Sequence, residues 1–304
     1  FKVVDLPGKG KGAVATRNIS ASERILREQP LFTVPTQIST SPGALLLNSL
    51  ARLSPRQRAA FYNLSYVNLP ENLTPDTDAY HEALALATFQ TNSISAGENV
   101  GIFPKTARLN HGCSSAFNSV YTWREAEGAL VVHALKSIKE GEELLTTYTD
   151  TKRPRDVRRQ YLHAHYGFLC ECSVCSLPEE LSKESDRRLM QMTELYSRLA
   201  SWGSEGISGK EAIETARKIW LVGEEEGYWS ERGRLAADAC WVAAAHSDSR
   251  AVREWAALAA KWYSYELGAD SEQAMEMESV MAVPERHRVW GTRRREDVGG
   301  PGQL

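Results

Sequence analysis

Along the first half of the chain, apolar residues come in short runs separated by polar residues and turn formers. FKVV (1–4), GAVA (12–15), ERILRE (23–28), SVYTW (119–123) and ALVVHAL (129–135) have the length and composition of strands. Glu127-Gly128 predicts a hairpin turn between the last two, and Lys139-Glu140-Gly141-Glu142 predicts a reversal ahead of LLTTY (144–148). Residues 44–63 and 78–90 instead space their apolar positions three and four apart, which predicts a helical insert among the strands. Beyond Ser182 the texture changes. Segments 185–201, 209–226, 231–246, 249–267 and 271–282 are rich in Ala, Leu, Glu, Lys and Arg and predict paired helices with apolar faces. AADACWVAAA facing AALAAKWYSYELG has the spacing of a TPR-like stack, without the full repeat signature. The last stretch, 291–304, carries Arg293-Arg294-Arg295 and a Gly/Pro-rich end and predicts a frayed, flexible tail.

A chain of 304 residues with 42% hydrophobic and 25% charged residues can bury a substantial core. No apolar run approaches the roughly 18 residues of a membrane helix, and no secretory signal pattern is visible. A net charge of −3 argues against a protein whose main task is gripping duplex nucleic acid. That charge is unevenly spread. Residues 1–175 hold 19 Lys/Arg against 16 Asp/Glu (+3), whereas residues 176–304 hold 17 against 23 (−6).

Of the five cysteines, Cys170, Cys172 and Cys175 form C-x-C-x-x-C. In a reducing compartment such a cluster binds metal more readily than it forms disulfides, and Cys113 is the natural fourth ligand. Four thiolates fill the shell of a structural zinc and leave no position for a catalytic water. Cys240, inside LAADACWVAAAH, reads as a small buried hydrophobe. Gly8-Lys9-Gly10-Lys11-Gly12 matches neither a P-loop nor a dinucleotide fingerprint. It is either a flexible turn or a loop whose missing side chains let the backbone approach a ligand.

Arg108-Leu109-Asn110-His111-Gly112-Cys113 and Gly141-Glu142-Glu143-Leu144-Leu145-Thr146-Thr147-Tyr148 are more specific. With the glycine loop before them and the cysteine cluster after, they resemble the SET-domain protein lysine methyltransferases. Tyr166-Gly167-Phe168-Leu169-Cys170-Glu171-Cys172 is similar to the post-SET segment of the SET-and-MYND branch, whose helical C-terminal domain matches the texture of 182–290. The resemblance implies an α+β fold. A β-rich SET domain would span 1–150 with a helical insert at about 40–90, a zinc-binding post-SET segment 151–180 and an all-α domain 181–290. The chain departs from that branch in two places. Residues 35–80 contain no cysteine, so the MYND finger is missing, and the usual N-H-S-C-x-P-N reads N-H-G-C-S-S-A-F-N, which displaces the asparagine to Asn118.

The implied reaction transfers a methyl group from S-adenosylmethionine (SAM) to a lysine amine of a protein. By the same resemblance, Tyr148 orients the amine or the methyl group, Asn110 bonds the polar end of the cofactor, and His111 meets adenine through its backbone. Phe168 stacks on adenine, Lys9, Gly10 and Lys11 line the methionine end, and Ile94 and Phe103 wall the lysine channel. The acidic helical half suggests a basic protein segment as substrate, and the family implies an intracellular site, nuclear or cytoplasmic. Two other readings fit the same residues: a catalytically weak or inactive SET-fold module that binds a peptide, and a zinc-stabilised helical scaffold.

Overall fold

The computed structural model describes all 304 residues. The chain opens with a hairpin, β1 (Lys2–Leu6) against β2 (Gly10–Val14), turning through Gly8 and Gly10, both at positive φ. β3 (Arg24–Glu28) and β4 (Thr33–Pro35) follow. The helical stretch read over 44–63 comprises two helices, α1 (Pro42–Ala51) and α2 (Pro55–Tyr62). The break has a local cause: Ser54 caps the second helix through Gln57, and Pro55 at its first position cannot continue the first. α3 (Asp78–Asn92) completes the insert and runs into β5 (Ser93–Ala96) and β6 (Asn99–Ile102). These two pair with β4 in a small antiparallel sheet, order β4-β6-β5.

β7 (Asn110–His111) precedes the predicted hairpin, β8 (Ser119–Arg124) with β9 (Ala129–Ala134), which β3 extends to three strands. LLTTY contributes only two strand residues, β10 (Leu145–Thr146), because its partner β7 is equally short. The two pair in parallel, Leu145 with Asn110 and Thr146 with His111. α4 (Arg155–Tyr166) ends at Gly167, φ 71°, and the cysteine segment follows it.

The second half holds α5 (Glu179–Ala200), α6 (Gly209–Glu226), α7 (Arg232–Ala245), α8 (Ser249–Leu267) and α9 (Glu272–Ala282). Their Ala, Trp and Leu faces form the largest core, centred on the fully buried Trp255. Phe117 and Leu135 from the first half belong to that core, so the halves share packing. No helix is long and apolar enough to cross a membrane.

Residues 291–304 correct an expectation. They pack against α7 and α8 instead of fraying: Arg293 and Glu296 donate their backbone N–H groups to Ala245 and His246 carbonyls at 2.9 and 3.1 Å. Those carbonyls lie at the end of α7, where no further helical turn can use them. Asp248 accepts from the Val298 and Gly299 N–H groups, and Val298 is buried.

The halves are also joined by a buried carboxylate. Glu226, at the end of α6, accepts hydrogen bonds from Ser114 at 2.7 Å, Ser185 at 2.6 Å and Arg188 at 2.9 Å. Nearby, Lys136 donates to the carbonyls of Ser115 and Gly227. Removing the carboxylate leaves Arg188 without its buried partner. Glu226→Ala should therefore lower unfolding stability by about 3 kcal/mol in chemical denaturation, whereas Glu225→Ala, on the exposed side of the same turn, should change little.

Candidate active site

The parallel pairing of β7 and β10 is what assembles the site. It brings two segments more than thirty residues apart in sequence side by side, with the Gly112 N–H donating to the Thr146 carbonyl at 2.8 Å. Gly112 is required there: a Cβ would lie 2.9 Å from the Phe117 nitrogen and 3.1 Å from the Ala116 carbonyl carbon. The displaced Asn118 then clamps β10. Its amide donates to the Glu143 carbonyl, and its oxygen accepts from the Leu145 N–H, both at 2.9 Å. The altered loop after Cys113 thus has its own means of holding the second motif in place.

Beside this pairing lies a cavity of about 470 Å³, within the usual range for small-ligand sites. Lys9, Lys11, Asn110, His111, Tyr148, Phe168 and Ile94 all contribute to its wall. Gly10 and Phe103 do not. Gly10 serves the hairpin turn, and its neighbour Gly8 lines the cavity instead. Phe103 is fully buried behind it with Ala96 and Leu130 and meets Trp123 edge-on, so it supports the sheet and does not face a channel. Tyr121, Tyr166 and Arg108 are wall residues that the sequence analysis missed. Tyr166 ends α4 just ahead of Phe168, a position whose aromatic character was in view without a role.

Tyr148 donates its hydroxyl hydrogen to the Leu109 carbonyl at 2.8 Å, and its ring stands 4.9 Å from that of Tyr166. Burial first, then the neighbouring Tyr166 and Tyr121, holds its pKa well above the usual phenol value. A phenol so held is neither an acid nor a base near neutral pH. With its hydrogen committed to Leu109, the oxygen offers lone pairs to the cavity. At the opposite end, Asn110 donates to Glu143 at 2.8 Å, and Lys9 pairs with the same carboxylate at 2.7 Å. Gly12 makes room for this arrangement, since a Cβ there would sit 2.4 Å from Leu6 and 2.7 Å from the Asn110 amide.

Cys113, Cys170, Cys172 and Cys175 converge as the spacing suggested. All four are buried and unbridged, and their sulfurs lie within 4.8 Å of one another. Cys113 and Cys175 are 3.6 Å apart, close to the edge of about 3.8 Å that a tetrahedron of 2.3 Å zinc–sulfur bonds requires. Hydrogen bonds among the four thiols hold Cys172 below the ordinary thiol range and Cys113 above it. Cys240 lies outside this cluster, buried in the helical core, where burial raises its pKa to about 12. Arg159 ties the segment to α4 by donating to the Cys170 and Cys175 carbonyls at 3.0 Å.

This short parallel pairing and the cavity-facing tyrosine after it lie within the segment that matches a known family. Residues 10–149, a little under half of the chain, match the SET domain family, so the chain carries a SET domain. It is 29% identical to histone-lysine N-methyltransferase set5 of Schizosaccharomyces pombe over 292 residues, 95% of this chain and 86% of that protein. N-lysine methyltransferase SMYD2 of Homo sapiens is 34% identical over 94 residues, 31% of this chain and 20% of SMYD2. Histone-lysine N-methyltransferase SET5 of Candida albicans is 29% identical over 179 residues, 59% of this chain and 36% of its own length.

Gly12→Ala should push Leu6 or the Asn110 amide off its position while sparing the fold. Calorimetric titration with SAM should show binding weakened about tenfold, equivalent to about 1.4 kcal/mol.

Proposed function

We infer that the protein is an enzyme that transfers a methyl group from SAM to a lysine side chain of a protein substrate. The observation that carries this is that Asn110 and His111, set in place by the β7–β10 pairing, line one cavity together with Tyr148 and Phe168. The wall suits the cofactor: Asn110 and Lys9 offer donors for its amino-acid end, and Phe168 a ring for adenine. When bound, SAM supplies a methyl group on a sulfonium that leaves as a neutral thioether.

The chain's own residues bind and align. The nucleophile must be a neutral amine, and deprotonating a lysine of pKa about 10.4 at neutral pH costs about 4–5 kcal/mol. Tyr148 cannot take that proton. Its oxygen instead accepts one N–H of the amine and turns the nitrogen lone pair along the line of transfer. Tyr166 and Ile94 narrow the approach. The four cysteines hold one structural zinc, which clips the segment carrying Phe168 onto the SET core next to Cys113. The non-catalytic reading drew on the altered loop after Cys113, and the two Asn118 bonds to β10 remove that support.

The substrate in this reading is a basic segment met by the acidic helical half, in the nucleus or cytoplasm. Glu224 and Glu225 are exposed and available to it, whereas Glu226 is turned inward to Ser114, Ser185 and Arg188.

A labelled-methyl assay on a protein extract, with SAM as donor, tests the central reading, and absence of any labelled lysine would refute it. Tyr148→Phe should leave folding and SAM affinity nearly intact while cutting turnover at least a hundredfold, since the lost contact acts at the reacting centre. Elemental analysis should find about one zinc per chain, and Cys172→Ser should lower both metal content and SAM affinity. Raising salt from about 50 to about 300 mM shortens the Debye length from about 14 to about 6 Å. Substrate KM should rise accordingly, and the rise should shrink in a Glu224→Gln, Glu225→Gln variant.

A further inference from the structure

The ring of His111 has no part in the chemistry above, yet it is buried between the two centres of the site. The Tyr148 backbone N–H donates to its Nδ1 at 3.0 Å, and its Nε2 lies 3.0 Å from the sulfur of Cys113. A backbone N–H can only donate, so Nδ1 is a bare acceptor and the ring hydrogen of the neutral imidazole sits on Nε2. That hydrogen points at Cys113, whose sulfur accepts it. Tyr148 is also held at its other end, because its hydroxyl donates to the Leu109 carbonyl two residues before His111. Both the backbone and the tip of the tyrosine are therefore referenced to residues 109–111.

We propose that His111 is a positioning residue that couples the four-cysteine cluster to Tyr148, bonding the Cys113 sulfur through Nε2–H and fixing the Tyr148 main chain through Nδ1. The proposal rests on the catalytic reading of Tyr148. A rigid five-membered ring links the two centres, so a shift of the Cys113 sulfur on metal loss is passed to the tyrosine backbone. Displacement of a reacting group by about 1 Å is enough to cost on the order of a hundredfold in rate.

The tautomer can be read without any substitution. Long-range proton–nitrogen NMR of the zinc-loaded protein, labelled at histidine, should show His111 protonated at Nε2 and bare at Nδ1, and an Nδ1–H tautomer would overturn the proposal. In cobalt-substituted protein, His111→Phe should shift the thiolate-to-cobalt absorption and weaken metal affinity about 10- to 100-fold, with kcat falling more than the KM for SAM. His111→Gln offers an acceptor oxygen and a donor nitrogen and should restore most of both. A His111→Phe protein with the parent's cobalt spectrum and metal affinity would also overturn it. Tyr148→Phe serves as the control: it should lose turnover with the cobalt spectrum unchanged. Normal turnover there would instead remove Tyr148 from catalysis, and with it the second arm of the coupling, while the tautomer and spectrum still judge the bond to Cys113.

Discussion

Two residue pairs of parallel strand hold this site together. Leu145 beside Asn110 and Thr146 beside His111 are the only ladder contacts of their sheet, and a parallel pair of that length has little stability of its own. It persists because its surroundings determine it several times over. The Gly112 N–H reaches the Thr146 carbonyl, Asn118 bonds the β10 backbone on both sides of Leu144, and Leu109 and Leu144 are buried in the same apolar cluster. The cavity, the tyrosine and the cysteine cluster all take their positions from this crossing.

The same crossing joins the two halves. Cys113 leaves β7 into a tight turn in which Ser114 adopts φ 44°, and the turn places the Ser114 hydroxyl on Glu226 of the helical half. A carboxylate taken out of water needs donors, and it has three, two of them from α5. Loss of the helical half would therefore leave the turn after Cys113 without a partner. The helical domain thus braces the turn that follows Cys113.

How far the sequence reveals this architecture depends on whether a segment carries its own boundaries. α6 and α8 begin and end where periodicity placed them, because Ser208 with Glu211, Asp248, Gly227 and Gly268 mark the ends chemically. The β8–β9 hairpin likewise announces its turn at Gly128, which takes a left-handed conformation. The β4-β6-β5 sheet was invisible: its strands are three and four residues long, too short for alternation to show. The tail misled for a different reason, since polar composition says nothing about the unpaired carbonyls of α7 that its backbone serves. Among site residues, Asn110, His111, Tyr148 and Phe168 line one cavity, whereas Phe103 lies buried behind it, because an aromatic after a strand faces a cavity or a core depending on a sheet register that sequence does not display.

On the methyl-transfer reading, the remaining question is where the substrate proton goes. Tyr121, Tyr148 and Tyr166 are all held above the usual phenol range by burial, so none of them serves as a base near neutral pH. Arg108 also faces the cavity, and its buried guanidinium, bonded to the Asn63 carbonyl at 2.8 Å, disfavours a second cation beside it. A channel of this composition does not remove the proton; it admits the amine after water has removed it. Lowering the lysine pKa by about three units would offset about 4 kcal/mol, nearly the whole cost of deprotonation. Desolvation by aromatic walls and repulsion by neighbouring cations both act in that direction, so the tyrosines need not serve as bases.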